Sequence, residues 1–200
     1  MRLTIFDYGA GNLHSLAKAL ARADDVVCIE PDPLRALDTD VLVLPGVGAF
    51  GAAAERLATT RDEMVATIRR GLPTLGICLG MQLLFEESDE GSGRGLGLFA
   101  GRVTRLRATR VPQIGWNTLD DPTDPLFARA PLAMAYYANS FVCRPRDESC
   151  VAAWSSHEGD RFPAVVRAGS AMGVQFHPEK SSTAGVKLLH AFLDSARSAR

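Results

Sequence analysis

A cysteine set between two glycines, "GICLG" at 76–80, is the first stretch of this chain that could do chemistry. An apolar run, "PTLGI", leads into Cys78, and a helical pattern, "LGMQLLFEES" over 79–88, leads away from it. A nucleophile at a strand-to-helix corner is the elbow arrangement of G-x-S-x-G hydrolases. The glycines remove side chains that would clash in the tight turn and leave the thiol clear of the sheet. A helix starting at Leu79 would aim its dipole at the sulfur and favour thiolate. The Leu79 N–H would stand ready to hold a developing oxyanion. The motif also fits a buried structural cysteine beside packing glycines, and by itself leaves both readings open.

A thiolate needs a proton carrier, and the chain has four histidines. His14 and His190 fall within helical patterns, as surface or packing residues. His157 sits in the polar turn "SSHEGD", where solvent exposure is expected. His177 is different: "GVQFHPEKS" (173–181) reads as a strand that ends in His, then Pro, then Glu. Pro178 fixes the backbone just past the strand. His177 and Glu179 can then point the same way, the carboxylate holding one ring nitrogen while the other faces a thiol. A third element, "LPGVGAF" (44–50), places two glycines at the end of a buried strand, where backbone amides can approach a substrate closely. It suits a second oxyanion donor or a plain turn.

The elements that must carry these residues follow from periodicity. Strands are expected at 2–8, 26–30, 41–46 and 73–78, and helices at 12–23, 61–71, 79–88 and 182–197, the last capped by Ser182 or Thr183. Strands alternating with helices imply right-handed crossovers and a parallel sheet covered on both faces. After the Gly-rich 90–101 the pattern changes to short strands, "GRVTRL", "MAYYANSF", "CVAAWSS", "PAVVRAG" and "AMGVQF", which suit an antiparallel extension. The expected fold is α/β, a mostly parallel sheet flanked by helices with antiparallel strands in the second half. "DDPTDP" (120–125) is too short to separate domains, so residues 1–200 read as one.

Composition narrows the class. The 200 residues are 46% hydrophobic and 22% charged, with 22 Lys+Arg against 23 Asp+Glu, an ordinary globular balance. Nothing in that balance suggests nucleic acid, and the basic stretch 101–110 reads as a strand and turn with solvated arginines. The apolar residues before Asp7 are too few for a signal sequence, and no run suits a membrane span, so a cytoplasmic protein is expected. The four cysteines lack metal-knuckle spacing and should be free thiols. Cys28 reads as a small core residue, and Cys143 and Cys150 as surface or strand positions around a turn. No metal or organic cofactor is indicated.

Taken together, these elements resemble the class I (triad) glutamine amidotransferases, and among them the glutaminase subunits of imidazole glycerol phosphate synthases of histidine biosynthesis. The resemblance is carried by "DYGAGN" (7–12), "PGVGAF" (45–50), "GICLGMQLLFE" (76–86), "GLGLFAGRV" (95–103), "VPQIGWN" (111–117), "YYANSF" (136–141) and "GVQFHPEKS" (173–181), in order along the whole chain. It implies that Cys78 attacks the side-chain amide of glutamine, that His177 moves the protons and that Glu179 orients His177. It implies oxyanion donors at Leu79 and in Gly46–Val47–Gly48, a strand that takes its working form only once a partner is engaged. Gln82, Glu90, Ser140 and Phe141 match the glutamine pocket, with a carboxylate there to pair with the substrate's α-ammonium. The implied partner is a (βα)8-barrel cyclase that receives the ammonia, with Trp116 and Lys180 at the interface; core packing for Trp116 and a solvated Lys180 are the alternatives. Gln113 and Asn139 stand where the family commonly has His, which bears on interface coupling and the pocket rim. Competing readings are the glutaminase of another synthase, a non-catalytic module that regulates a barrel enzyme, and a freestanding cysteine hydrolase.

Overall fold

Four consecutive residues show how the sheet is made. Val41–Leu44 are all fully buried, Val41 and Val43 packing into one apolar cluster and Leu42 and Leu44 into another. Side chains alternate across a strand, so a strand apolar at every position must be covered on both faces. The computed structural model describes residues 1–9 and 11–199. Ala10, within "DYGAGN", and Arg200 lie outside the described residues.

The strands in chain order are β1 (Arg2–Phe6), β2 (Val26–Glu30), β3 (Val41–Leu44), β4 (Thr74–Ile77), β5 (Glu87–Ser88), β6 (Gly101–Arg105), β7 (Gln113–Thr118), β8 (Met134–Asn139), β9 (Phe141–Pro145), β10 (Val151–His157), β11 (Asp160–Ala168) and β12 (Ala171–Val174). The helices are α1 (His14–Leu20), α2 (Phe50–Leu57), α3 (Arg61–Arg69), α4 (Leu79–Leu83), α5 (Leu126–Arg129) and α6 (Ser182–Ser198). The main sheet runs β10-β11-β12-β4-β3-β1-β2. Its strands from β12 to β2 are parallel, and β11 and β10 extend it antiparallel, as the two halves of the sequence suggested. Helices α1 and α6 cover one face, and α2, α3 and α4 the other. Two smaller sheets, β5-β6-β9 and the ribbon β7-β8, sit beside it.

Several elements differ from the sequence reading. Helix α4 stops after five residues instead of running to 88. The Gly-rich segment takes over its carbonyls: Gly95 N–H donates to Glu86 O, Leu96 N–H to Leu83 O and Leu98 N–H to Leu84 O. A Cβ on Gly95 would lie 2.1 Å from Phe85 O, so only glycine permits that approach. Helix α2 was not read at all; it buries Phe50, Ala53, Ala54 and Leu57 directly after the glycine loop. "QIGWNT" is a strand rather than a loop. The strand before His177 ends at Val174, two residues earlier than "AMGVQF" suggested. Helix α6 is preceded by Ser181, whose hydroxyl donates to His177 O (2.7 Å) and accepts from Tyr136 N–H (2.9 Å), so neither Ser182 nor Thr183 is its cap. Cys28 is half-buried because β2 is the sheet edge, whereas Cys143 is fully buried in β9. His157 is half-buried at the end of β10 and bonds Arg110 O at 2.9 Å.

The corner at Cys78 depends on two close approaches. A Cβ on Gly76 would lie 2.6 Å from Gly80 O, and one on Gly80 would lie 1.9 Å from Leu44 O. Backbone cannot yield to such a contact without moving a strand. Gly80→Ala is therefore expected to destabilise the chain by about 1–3 kcal/mol or more, read as a lowered denaturant midpoint; an unchanged midpoint would show that β3 and α4 have room to separate.

Candidate active site

Strand β4 ends at Ile77, and Cys78 takes φ 47° and ψ −102°. Positive φ is rare for a residue with a side chain and marks stored backbone strain. Cys78 N–H donates to Val174 O at 2.7 Å, which locks the corner to the neighbouring strand. The cysteine is only 7% exposed. The helix behind it is too short for the full dipole the sequence suggested, so donors near the sulfur matter more.

His177 lies three residues beyond the end of β12, the strand paired with β4. Its N–H donates to Tyr136 O (2.8 Å), and its carbonyl accepts from Lys180 N–H (3.0 Å) and the Ser181 hydroxyl. Pro178 opens a single 3-10 turn, Pro178–Lys180. That turn brings Glu179 back so that Oε1 lies 2.9 Å from His177 Nδ1. A Cβ on Gly46 would lie 2.9 Å from His177 Cε1 and 3.0 Å from Cys78 Cβ, so both side chains converge on this glycine. Burial by itself would lower the His177 pKa; hydrogen bonds and charge interactions with Cys78 and Glu179 outweigh it and raise the value to about 9. The imidazole is thus held as imidazolium at neutral pH.

A cavity of about 220 Å³ opens in front of the sulfur, lined by Gly46, Gly48, Cys78, Leu79, Gln82, Glu90 and residues 138–141. Gln82 Nε2 and Asn139 Nδ2 both donate to Phe141 O at 3.1 Å, which fixes that wall. Glu90 lies at the mouth, exposed, with Oε2 accepting from Phe50 N–H at 3.0 Å. The structure thus brings together Cys78, His177, Glu179, Gly46, Gly48, Leu79, Gln82, Glu90, Ser140 and Phe141. Val47 is the exception: it packs against the core, and a Cβ on Gly11 would lie 2.6 Å from its Cβ. A more open hollow of about 800 Å³ adjoins at Glu90, between α2 and residues 91–94, and neither Cys78 nor His177 lines it. No group of three or more His, Cys, Asp or Glu among the described residues could hold a metal.

The ribbon β7-β8 presents an apolar outer face. Ile114, Trp116 and Met134 are 67%, 52% and 47% exposed, and Lys180 is exposed on the turn after His177. Trp116 is therefore not a core residue; its ring meets Tyr136 edge to face at 6.3 Å. Gln113 and Asn139 are directly opposed in the ribbon and both buried, Asn139 on the cavity wall. Sequence reasoning missed Ile114 and Met134, whose signal was the alternation within "QIGWNT" and "MAYYAN". It also missed Gln175, whose Nε2 lies 3.6 Å from Cys78 Sγ.

The glutamine amidotransferase class-I family matches residues 4–196. The chain belongs to that family. Among curated relatives, the amidotransferase is 43% identical to imidazole glycerol phosphate synthase subunit HisH of Halobacterium salinarum, covering 96% of this chain and 92% of that one. It is 41% identical to the subunit of the same name from Bacillus subtilis, covering 96% and 95%. Among solved structures, PurLQS from Thermotoga maritima superposes with a TM-score of 0.73 at 20% identity, covering 97% of this chain and 98% of that chain, a likeness of fold. No helix among the described residues is long and apolar enough to cross a membrane.

The amidotransferase's imidazolium depends on both neighbours. In Cys78→Ala the lowering by burial remains and one of the two raising partners is gone. The His177 titration midpoint, followed by NMR of the imidazole, is expected to fall from about 9, so the ring loses its proton at a lower pH. A midpoint that stays put would show that Glu179 alone sustains the charge.

Proposed function

We propose that this chain is the glutaminase subunit of an imidazole glycerol phosphate synthase, working in the cytoplasm as a single domain. The observation that carries the reading is the small cavity with the nucleophile at its floor and Glu90 at its mouth. Glutamine fits it with its carboxamide against Cys78 and its α-ammonium toward Glu90. A space of 220 Å³ lies below the roughly 300–1,000 Å³ of sites for larger ligands, which favours a free amino acid over a peptide and disfavours a general cysteine hydrolase. A regulatory module without chemistry would have no use for a strained cysteine facing an imidazolium.

The thiolate attacks the carboxamide carbon, and the carbonyl electron pair moves onto oxygen. Leu79 N–H and an amide of the Gly46–Gly48 segment receive that oxyanion. Collapse expels the nitrogen, which leaves as ammonia with the His177 proton. The neutral imidazole then takes a proton from water, the hydroxyl adds to the thioester carbon, and the C–S bond breaks with its electron pair returning to sulfur. Glutamate departs and the thiolate–imidazolium pair is restored. Gln82, Ser140 and Phe141 hold the substrate, and Glu179 fixes the ring so that one nitrogen faces the sulfur throughout.

Free ammonia in neutral water is mostly ammonium and no longer nucleophilic, so it must pass directly to its acceptor. The acceptor subunit is a (βα)8-barrel cyclase that makes imidazole glycerol phosphate and aminoimidazole carboxamide ribotide in histidine biosynthesis. The names of the relatives support this assignment. The apolar face around Trp116, with Lys180 at its border, is the docking surface.

Cys78→Ala is expected to abolish glutamate release and glutamine-dependent synthase turnover while turnover with added ammonia persists; loss of both would assign Cys78 a structural role. Wild-type glutaminase activity should rise strongly with the cyclase and its ribonucleotide ligand, and an equal rate without them would sink the coupled reading. Trp116→Ala is expected to weaken cyclase binding by roughly 2 kcal/mol or more, measured by calorimetry; an unchanged affinity would move the docking surface elsewhere.

A further inference from the structure

Gln175 is fully buried, yet its side chain has one polar contact in the structure, Nε2 to Cys78 Sγ at 3.6 Å. Its Oε1 is buried without a hydrogen-bond partner. Leaving a buried amide oxygen unpaired is costly, and a packing role would be served as well by Met or Leu. The backbone explains why the side chain is where it is. Val174 is paired with Ile77, and Val174 O accepts the Cys78 N–H, so the residue after Val174 lies beside the sulfur. Gln175 N–H is anchored to Ala164 O at 2.9 Å, which fixes the root of the side chain from the opposite strand. Phe176 fills the core between Gln175 and His177. The "QFH" run thus delivers two donors to one sulfur: an imidazolium that titrates and a carboxamide that does not.

We propose that the Gln175 carboxamide is a permanent hydrogen-bond donor to the Cys78 thiolate, which holds the sulfur in its attacking position whatever the protonation state of His177. A thiolate accepts from two directions at once, and a thioester sulfur is a far poorer acceptor. The donor therefore acts on the resting thiolate and on the sulfur that leaves as the thioester breaks. Between these moments His177 is neutral, having given its proton to ammonia, whereas the carboxamide N–H stays in place through the whole cycle. The proposal rests on Cys78 being the nucleophile. The titratable groups facing the sulfur are His177 with Glu179 behind it, Cys143 from β9 and Glu90 across the cavity.

The test needs neither glutamine nor the cyclase, so its outcome is independent of the glutaminase assay. Iodoacetamide alkylation of the full chain is followed against pH by mass spectrometry of the Cys78 peptide, which separates Cys78 from Cys28 and Cys150, both only half-buried. Gln175→Met keeps the volume and removes the donor. Its Cys78 midpoint is expected to move up by about one pH unit, a roughly tenfold loss of thiolate below the midpoint, with a near wild-type melting temperature. A folded Gln175→Met chain with the wild-type profile would overturn the proposal. If that variant does not fold, the wild-type protein decides: the Gln175 side-chain NH2 resonances should titrate with the Cys78 midpoint and shift on alkylation. Resonances that ignore both would overturn it equally.

Discussion

Setting a thiol at the tip of a strand requires that the chain reverse into a helix within one residue, and the helix must then lie against the strands it has just left. Here that contact is backbone on backbone. Gly80 sits against Leu44 O and Gly76 against Gly80 O, with no space for even a methyl group. The same contact sets the distance between β3 and α4, and hence the position of Gly46, which follows β3 and fills the space between Cys78 and His177. Gly11 packs on Val47 in turn, so the loop after β1 supports the loop after β3. The loops at this end of the sheet are stacked on one another, which is where ligands bind in open parallel sheets.

The electrostatics of the site follow from burial. Cys78 and His177 are both nearly out of water, where an isolated charge is costly and a paired one is held firmly. His177 keeps its proton because two partners outweigh desolvation. Glu179 is itself nearly buried, its Oε2 without a partner, so it has little to bond but the imidazole. The pair is oriented by backbone as much as by side chains, since the single turn after Pro178 sets the 2.9 Å contact.

The chemistry-bearing residues were legible in the sequence because each is announced by backbone requirements. Glycines flank Cys78, proline follows His177, and glycines follow the strand at 41–44. The parallel core was legible because "VLVL" and "TLGI" are apolar at every position. The misreadings share a cause, in that tertiary contacts override local pattern. The helical pattern of 79–88 is cut short by the amides of 95–98, which no window on 79–88 contains. Helix α2 is built from alanines around two large apolar residues, a weak periodic signal beside the strong turn signal of "PGVG". Cys28 looks like core because its strand is apolar, but strand order, which places β2 at the edge, is not written in the strand itself. Gln175 carries no signal of its own; it is polar in an apolar run, and only the pairing of β12 with β4 reveals what it faces.

The exposed ribbon reaches the imidazole by a short route. Trp116 leans on the Tyr136 ring, Tyr136 O holds the His177 backbone, and Tyr136 N–H holds Ser181, which in turn holds the His177 carbonyl. Three of these links are hydrogen bonds, and they close a ring through Tyr136, His177 and Ser181 that ties the ribbon to the histidine segment. Mechanically, the outer surface and the histidine backbone are two sides of one braced joint, with a single residue, Tyr136, touching both.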